Sequence, residues 1–459
     1  MKTVDLEFGK ESFGIRVPDT ADILRMPEIA PLRDPAVEVR RGLACPIECT
    51  ALGTVIRAKV ARVSAPTAAI VISDNTRPVP YTGPAGILAP LLSALRRGRV
   101  VDIVVLVATG THHGLNENQL RSMLPETAFA PDVRIVNHDC TDPEALRWVG
   151  RTARGTDAWI NAIYLDADIK ILTGLVEPHF MAGFSGGRKS VCPGLVGLDA
   201  TQIFHGADMM ADPRSDSLIL DGNPCHEEAL EVARLAGCDF LVNVTIDREK
   251  RLTGVFCGDM EAAHLAACER AAETNAIPIE QEYDVVVTHA GFAGINHYQA
   301  AKAGCEAAKA VKRGGVMILA ASHTDVHPVG GPHYRQVLRL LSELGPELFN
   351  ARLRSPDWTF VPEQWEVQKW AQVFAKLGGM ENLIYCSPQV TGALFAECRV
   401  PGVDGGAGLN AREGGALSAA AMVQCAVDAQ IARHPERAVA VLADGPYGVP
   451  RLRGPDSGG

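Results

Sequence analysis

Three side chains at short spacing could do chemistry together: His179, Lys189 and His205. The first two share the stretch Glu177-Pro178-His179-Phe180-Met181-Ala182-Gly183-Phe184-Ser185-Gly186-Gly187-Arg188-Lys189-Ser190, and the third ends Thr201-Gln202-Ile203-Phe204-His205. A proton carrier, an amine nucleophile and a metal-ligand type gather around one Gly-Gly turn. Gly186 and Gly187 let the backbone approach a ligand closely and offer amide donors to an anion. The set suits a phosphate-bearing cofactor that carries a metal. The pattern is not a P-loop, and a solvated lysine is the plain alternative for Lys189. One histidine holds a metal only with help from other ligands.

Further candidates follow predicted strands. Asp74 and Arg77 share the turn Ser73-Asp74-Asn75-Thr76-Arg77-Pro78, where Arg77 could grip a carboxylate or phosphate. Thr111, His112 and His113 lie in Gly110-Thr111-His112-His113-Gly114. A histidine there, with an ordinary pKa near 6.5, suits proton transfer at neutral pH. Later, Tyr298, Gln299 and Lys302 open a helix, with Gln299 and Lys302 on one face where they could meet a carboxylate. Trp365 could wall a pocket or simply pack in the core. His323, His327 and His333 share a Gly/Pro-containing loop that offers a weaker, separate metal site.

Positioning these residues requires strands and helices in alternation. The apolar runs at 69–72, 103–107, 133–136, 169–172 and 240–244 alternate with helical stretches at 86–97, 116–124 and 225–236. Near-continuous apolar strands in that alternation mean a mainly parallel, doubly wound α/β sheet. Ligands bind beyond the carboxyl ends of such strands, so one crevice could hold the loops at 74, 110 and 177. A second series, at 284–287, 315–320 and 383–386, predicts a second α/β domain with a cleft between the two. The expected division is 1–275, 280–425 and an extension 426–459 returning to the first domain. Residues 277–280 read as the linker, and residues 4–8 and 13–17 as a β-hairpin. The stretch 402–416 reads as a loop and helix start, and 454–459 as a mobile tail.

Composition narrows the class. The chain has 459 residues, 47% hydrophobic, enough for sizeable cores. Its net charge of −10 argues against nucleic acid as a main partner. No long apolar run suggests a membrane span, and the N-terminus lacks a signal-peptide core, so a cytoplasmic setting is expected. The 12 cysteines are scattered without a Cys-x-x-Cys pair and read mostly as small buried residues, Cys45 and Cys49 being closest.

Together the segments from Asp74 to about residue 370 resemble the nickel-pincer-nucleotide lactate racemase family. The strongest match is Glu177 to His205; the Asp74/Arg77 turn, the Gly110-Thr111-His112 loop and Tyr298-Gln299-x-x-Lys302 fit independently. The resemblance implies an isomerase that inverts C2 of a 2-hydroxyacid. It implies a tethered cofactor, pyridinium-3,5-bisthiocarboxylate mononucleotide nickel, linked covalently at Lys189, with His205 as the protein's metal ligand. Asp74, Thr111, Gly186 and Gly187 would contact that cofactor. His112 and His179 would be the two acid/bases, and Arg77, Tyr298, Gln299, Lys302 and Trp365 would contact substrate. Lactate-like, aromatic, dicarboxylic and sugar acids all remain open as substrates. The cofactor-synthesis enzymes are implied partners, and a homo-oligomer is compatible. Two other classes stay open at this point: a non-catalytic nickel-nucleotide binder, and a metal-dependent hydrolase using the 323–333 histidines.

Overall fold

In a computed structural model of the chain, which describes residues 1–407, 409 and 418–453, the backbone divides into two compact units. One comprises residues 28–205 and 212–274, the other 1–27, 206–211 and 275–459. The tail 454–459 and much of the Gly-rich stretch 402–416 lie outside the described residues.

The first unit is built on a six-stranded sheet. Its spatial order is Leu252–Gly258, Phe240–Ile246, Ile169–Leu175, Thr67–Ser73, Asp102–Ala108, Val133–Asn137. All neighbours are parallel except the first pair. The runs Ala69–Ile72 and Val104–Val107 are buried throughout because helices cover both faces. Leu88–Arg97 is one of them, with Leu88, Leu91, Leu92 and Leu95 at helical spacing fully buried. The chain leaves Thr67–Ser73 toward one edge and returns on its other side with Ile169–Leu175, which sets a topological switch point between these strands. Asp74 follows the first directly, and Glu177 follows the second after Val176.

The second unit carries an all-parallel sheet in the order Val403–Asp404, Leu383–Cys386, Val311–Ala320, Tyr283–His289, Val439–Leu442, Asp22–Leu24. The expected hairpin forms from Lys2–Phe8 and Glu11–Val17. Its Val4, Leu6, Ile15 and Val17 join the core of this second unit.

Two expectations need correction. The N-terminal 27 residues and the segment after 426 both belong to the second unit, because Val439–Leu442 pairs with Tyr283–His289 on one side and Asp22–Leu24 on the other. The supposed linker is a strand, Ala276–Ile279, paired in parallel with Val449–Leu452. All 12 cysteines are free thiols, most of them buried. Among the described residues no helix is long and apolar enough to cross a membrane.

Candidate active site

The loop after Thr67–Ser73 is an Asx turn. Asp74 Oδ1 accepts from the Thr76 amide (3.1 Å) and hydroxyl (2.5 Å), which leaves Oδ2 to meet His112 Nδ1 at 2.6 Å. Gly110, at φ +57°, turns the next loop, and a Cβ there would stand 3.3 Å from the Pro193 carbonyl. The His112 amide then bonds back to Thr109 O. Burial pushes the Asp74 carboxyl up, but the His112 ring, Thr76 and Arg77 outweigh it and hold Asp74 below its ordinary value. An ionised Asp74 accepts the His112 Nδ1 proton, which makes Nε2 the lone-pair nitrogen of that ring. Thr111 and His113 are exposed.

His179 sits on a two-residue hairpin in which it pairs with Gly183. Its Nδ1 accepts from the Met181 and Ala182 amides at 3.2 and 3.3 Å, and its Nε2 lies 2.7 Å from Lys189 Nζ. A neutral ring that accepts at Nδ1 carries its proton at Nε2. That proton points at Lys189, so the amine must offer a lone pair. Burial first, then the Arg77 and Arg188 charges, push the Lys189 pKa well below the lysine range. Geometry and electrostatics therefore agree on a neutral amine, the nucleophilic form. The turn presenting it needs both glycines: Gly186 at φ +73° and Gly187 at φ +52°. The Gly187 amide is tied to Asn243 Oδ1 (3.0 Å), so it serves the fold rather than an anion.

His205 caps the helix Leu198–Phe204, and its Nδ1 donates to Thr201 O at 3.0 Å. Burial pushes its pKa down to about 3, so the imidazole is neutral. A neutral ring whose other nitrogen donates to a backbone carbonyl is the usual state of a metal-bound histidine. The Lys189 amine lies 5.8 Å from the Phe204 ring, which links this helix to the Gly-Gly turn. Arg77 reaches across to Glu177, Nη1 to Oε1 3.3 Å. Asp74–His112, Arg77–Glu177 and His179–Lys189 thus draw the three strand-end loops into one group.

The remaining candidates are in the second unit. The helix His297–Ala308 is capped by Asn296, which accepts from the Gln299 amide at 2.9 Å. Tyr298 Oη accepts from Trp365 Nε1 at 3.0 Å, and Trp365 stacks on Phe360. Gln299 is exposed and Lys302 half-buried. The histidine loop does not converge. His323 is buried with both ring nitrogens engaged, by Gly294 O and Tyr385 Oη, while His327 and His333 are exposed. The site required by the hydrolase reading is therefore not formed. Among the described residues no group of three or more His, Cys, Asp or Glu is placed to hold a metal ion.

Comparison with known proteins resolves the class. Residues 8–217 match the model of the lactate racemase N-terminal domain, and residues 279–400 that of its C-terminal domain. A lactate racemase of Lactiplantibacillus plantarum is 34% identical over 327 residues, covering 70% of this chain and 74% of that protein. The chain belongs to the lactate racemase family. It is an isomerase, of the racemase kind. The lactate racemase of Thermoanaerobacterium thermosaccharolyticum is 29% identical over 380 residues, covering 81% of this chain and 86% of that one. The solved structure of the lactate racemase apoprotein from that organism matches with a TM-score of 0.80 and 26% identity, over 98% of this chain and all of that one. A Thermotoga maritima structure at 17% identity and TM-score 0.59 shares the fold.

Sequence reasoning misses several residues of this candidate site. Glu177 carries no role in the motif, yet it is the carboxylate that meets Arg77. Its place just after a strand, beside two other polar loops, was the available signal. His138 ties the His112 loop to the segment before His205: Thr109 Oγ1 donates to His138 O, and its ring spans Val196 O and Asn161 Nδ2. Nothing local in the sequence marks it. Arg188 lies inside the protein, where a solvated side chain would be the ordinary reading.

Proposed function

We propose that the chain inverts C2 of a 2-hydroxyacid, with His112 and His179 exchanging the hydroxyl proton beside a nickel-pincer nucleotide held by Lys189 and His205. The observation that carries this reading is the complementary state of the two rings. Asp74 leaves His112 with its lone pair at Nε2, and the Met181 and Ala182 amides leave His179 with its proton at Nε2. One ring is set to take a hydroxyl proton and the other to give one. Inversion needs both roles, and positioned acid/bases contribute roughly 10²–10⁴-fold.

The residues also suit the cofactor. The neutral Lys189 amine can form the covalent link, and the neutral His205 imidazole can serve as metal ligand. Gly186 and Thr111 would lie along the nucleotide, whereas Gly187 is already bound to Asn243. Bound there, the group would supply reversible acceptance of hydride from C2. Arg77 grips the substrate carboxylate in exchange for Glu177. Lys302, Gln299, Tyr298 and Trp365 are further substrate contacts. The cofactor-synthesis enzymes would be transient partners in a cytoplasmic setting. The names of both curated relatives make lactate the first substrate to try.

The deciding experiment is a chiral assay of chain co-expressed with the cofactor-synthesis enzymes, against lactate and aromatic, dicarboxylic and polyhydroxy 2-hydroxyacids. At least one should racemise or epimerise. Fully nickel-loaded protein that turns over none of them would end this reading. Arg77→Ala should lower kcat/KM about ten- to a hundredfold, the size of a lost charge-assisted bond worth about 1.5–3 kcal/mol.

A further inference from the structure

Arg188 is a charge placed where charges rarely go. It is 1% exposed, and no carboxylate lies within ion-pair distance among the described residues. Burial alone pulls its pKa down to about 10. A residue of this kind normally costs stability unless a carboxylate offsets it. Its contacts are instead with backbone and a ring. Nη2 donates to Ala182 O at 2.6 Å, and Nη1 lies 2.9 Å from His264 Nε2 and 3.4 Å from Gly186 O. Among the described residues Nε has no hydrogen-bond partner.

Those contacts are placed to some purpose. Ala182 lies in the hairpin turn whose amide hydrogen-bonds His179 Nδ1. Gly186 begins the turn that presents Lys189, and the Lys189 amide bonds to Gly186 O. His264 belongs to the helix Met260–Asn275 and packs against Gly187 so closely that a Cβ there would stand 2.5 Å from its ring. One planar guanidinium therefore joins the hairpin that carries His179 to the turn that carries Lys189, and anchors both to a third element. A fork of fixed geometry does this; a lysine ammonium, a point charge on a flexible stem, does not.

We propose that Arg188 is a positioning residue: its guanidinium, forked between Ala182 O and His264, sets the Lys189 amine against His179 so that Lys189 can be loaded. The functional weight of this inference rests on the reading of Lys189 as the cofactor anchor.

Two measurements test it with the chain as it exists. In the first, wild type, Arg188→Lys and Arg188→Met are co-expressed with the cofactor-synthesis enzymes, and covalently added mass is read on the intact chains. Misplacement of reacting groups by about 1 Å can cost up to about a hundredfold in rate, so loading of both variants should fall about ten- to a hundredfold. Arg188→Lys keeps the charge and should not rescue it. Full loading of either folded variant overturns the proposal. In the second, the unloaded chains are treated with fluorodinitrobenzene, and the labelling of Lys189 is compared with that of exposed Lys10 by peptide mass mapping. The Lys189/Lys10 ratio should drop about tenfold in both variants. An unchanged ratio overturns the proposal. If Arg188→Met fails to fold, Arg188→Lys and His264→Gln carry the test. Wild-type chain that never gains mass would refute Lys189 as anchor, while the labelling ratio would still judge Arg188.

Discussion

His179 donates its Nε2 proton to the Lys189 amine across 2.7 Å, with the backbone amides of Met181 and Ala182 fixing the direction of that bond. An ammonium at Lys189 would force the ring proton onto Nδ1, against two amide donors. The pair therefore favours an amine that is both neutral and oriented, which is what a covalent anchor needs. Chain co-expressed with the cofactor-synthesis enzymes should gain a nucleotide-sized mass, mapping to the peptide that contains Lys189. Lys189→Ala should gain none and should keep a native melting profile. Active wild-type enzyme with an unmodified mass would rule out the covalent link.

A second prediction concerns Asp74. In the native chain its carboxylate accepts a hydrogen bond from His112 Nδ1–H, which leaves Nε2 as the lone-pair nitrogen. Asp74→Asn is nearly isosteric, but its amide can donate to Nδ1 and so move the ring proton to Nε2. The base would then be held in the wrong tautomer. We expect kcat to fall by about 10²–10⁴-fold, with nickel content and covalent mass unchanged. Loss of the cofactor along with activity would instead place Asp74 in cofactor binding, the role the resemblance gives it.

Much of this arrangement was readable from the chain because parallel strands announce themselves. Runs such as Ile70-Val71-Ile72 and Val104-Val105-Leu106-Val107 are apolar on both faces, and polar loops after them must lie at the ligand-binding edge. Membership of the two units was not readable. The strand Asp22–Leu24 has three residues and takes its place only by pairing with Val439–Leu442, more than 400 positions away. Ile277-Pro278-Ile279-Glu280 reads as a linker, yet Pro278 lies in a strand because a short two-stranded sheet with open edges tolerates a proline. The same limit applies within the site. His112 and His179 are visible by type and position, but their tautomers depend on Asp74, 38 residues from His112, and on two backbone amides. Arg188 showed as a residue but not as a buried one, since its partner His264 comes from a helix 76 residues later.

A third prediction follows from His138. This ring is buried, with Nε2 donating to Val196 O and Nδ1 accepting from Asn161 Nδ2. Burial lowers its folded pKa below the ordinary value of 6.5. As pH falls through about 6.5, the unfolded chain takes up this proton and the folded chain does not. His138 therefore makes no contribution to the pH dependence above that pH. Below it, His138 removes up to about 1.4 kcal/mol of stability per pH unit until its folded pKa is reached. His138→Gln can keep both hydrogen bonds without titrating. Its urea midpoint should fall less than that of the wild type between pH 7.5 and 5.5. Parallel curves for the two proteins would show that His138 is not the titrating group.

The last prediction concerns the two histidines as a pair. A substrate hydroxyl on either enantiomer must lose a proton at the start and regain one at the end, and one base on one face serves only one enantiomer well. His112 and His179 come from loops after different strands and are held in opposite tautomers, so each should dominate one direction. His112→Ala and His179→Ala should each lose racemisation by about 10²–10⁴-fold while retaining nickel and covalent mass. His179→Ala also removes the partner of Lys189, so its loading must be measured before its rate is interpreted. With substrate deuterated at C2, the label should largely remain at C2 in the product, and a primary isotope effect should appear where breaking that bond limits the rate. Both follow if C2 loses hydride, which does not exchange with water, while the histidines handle only the hydroxyl proton. Extensive incorporation of solvent hydrogen at C2 would mean that one histidine removes the C2 proton directly. The two rings would then act as carbon acids' bases, and no hydride acceptor would be needed.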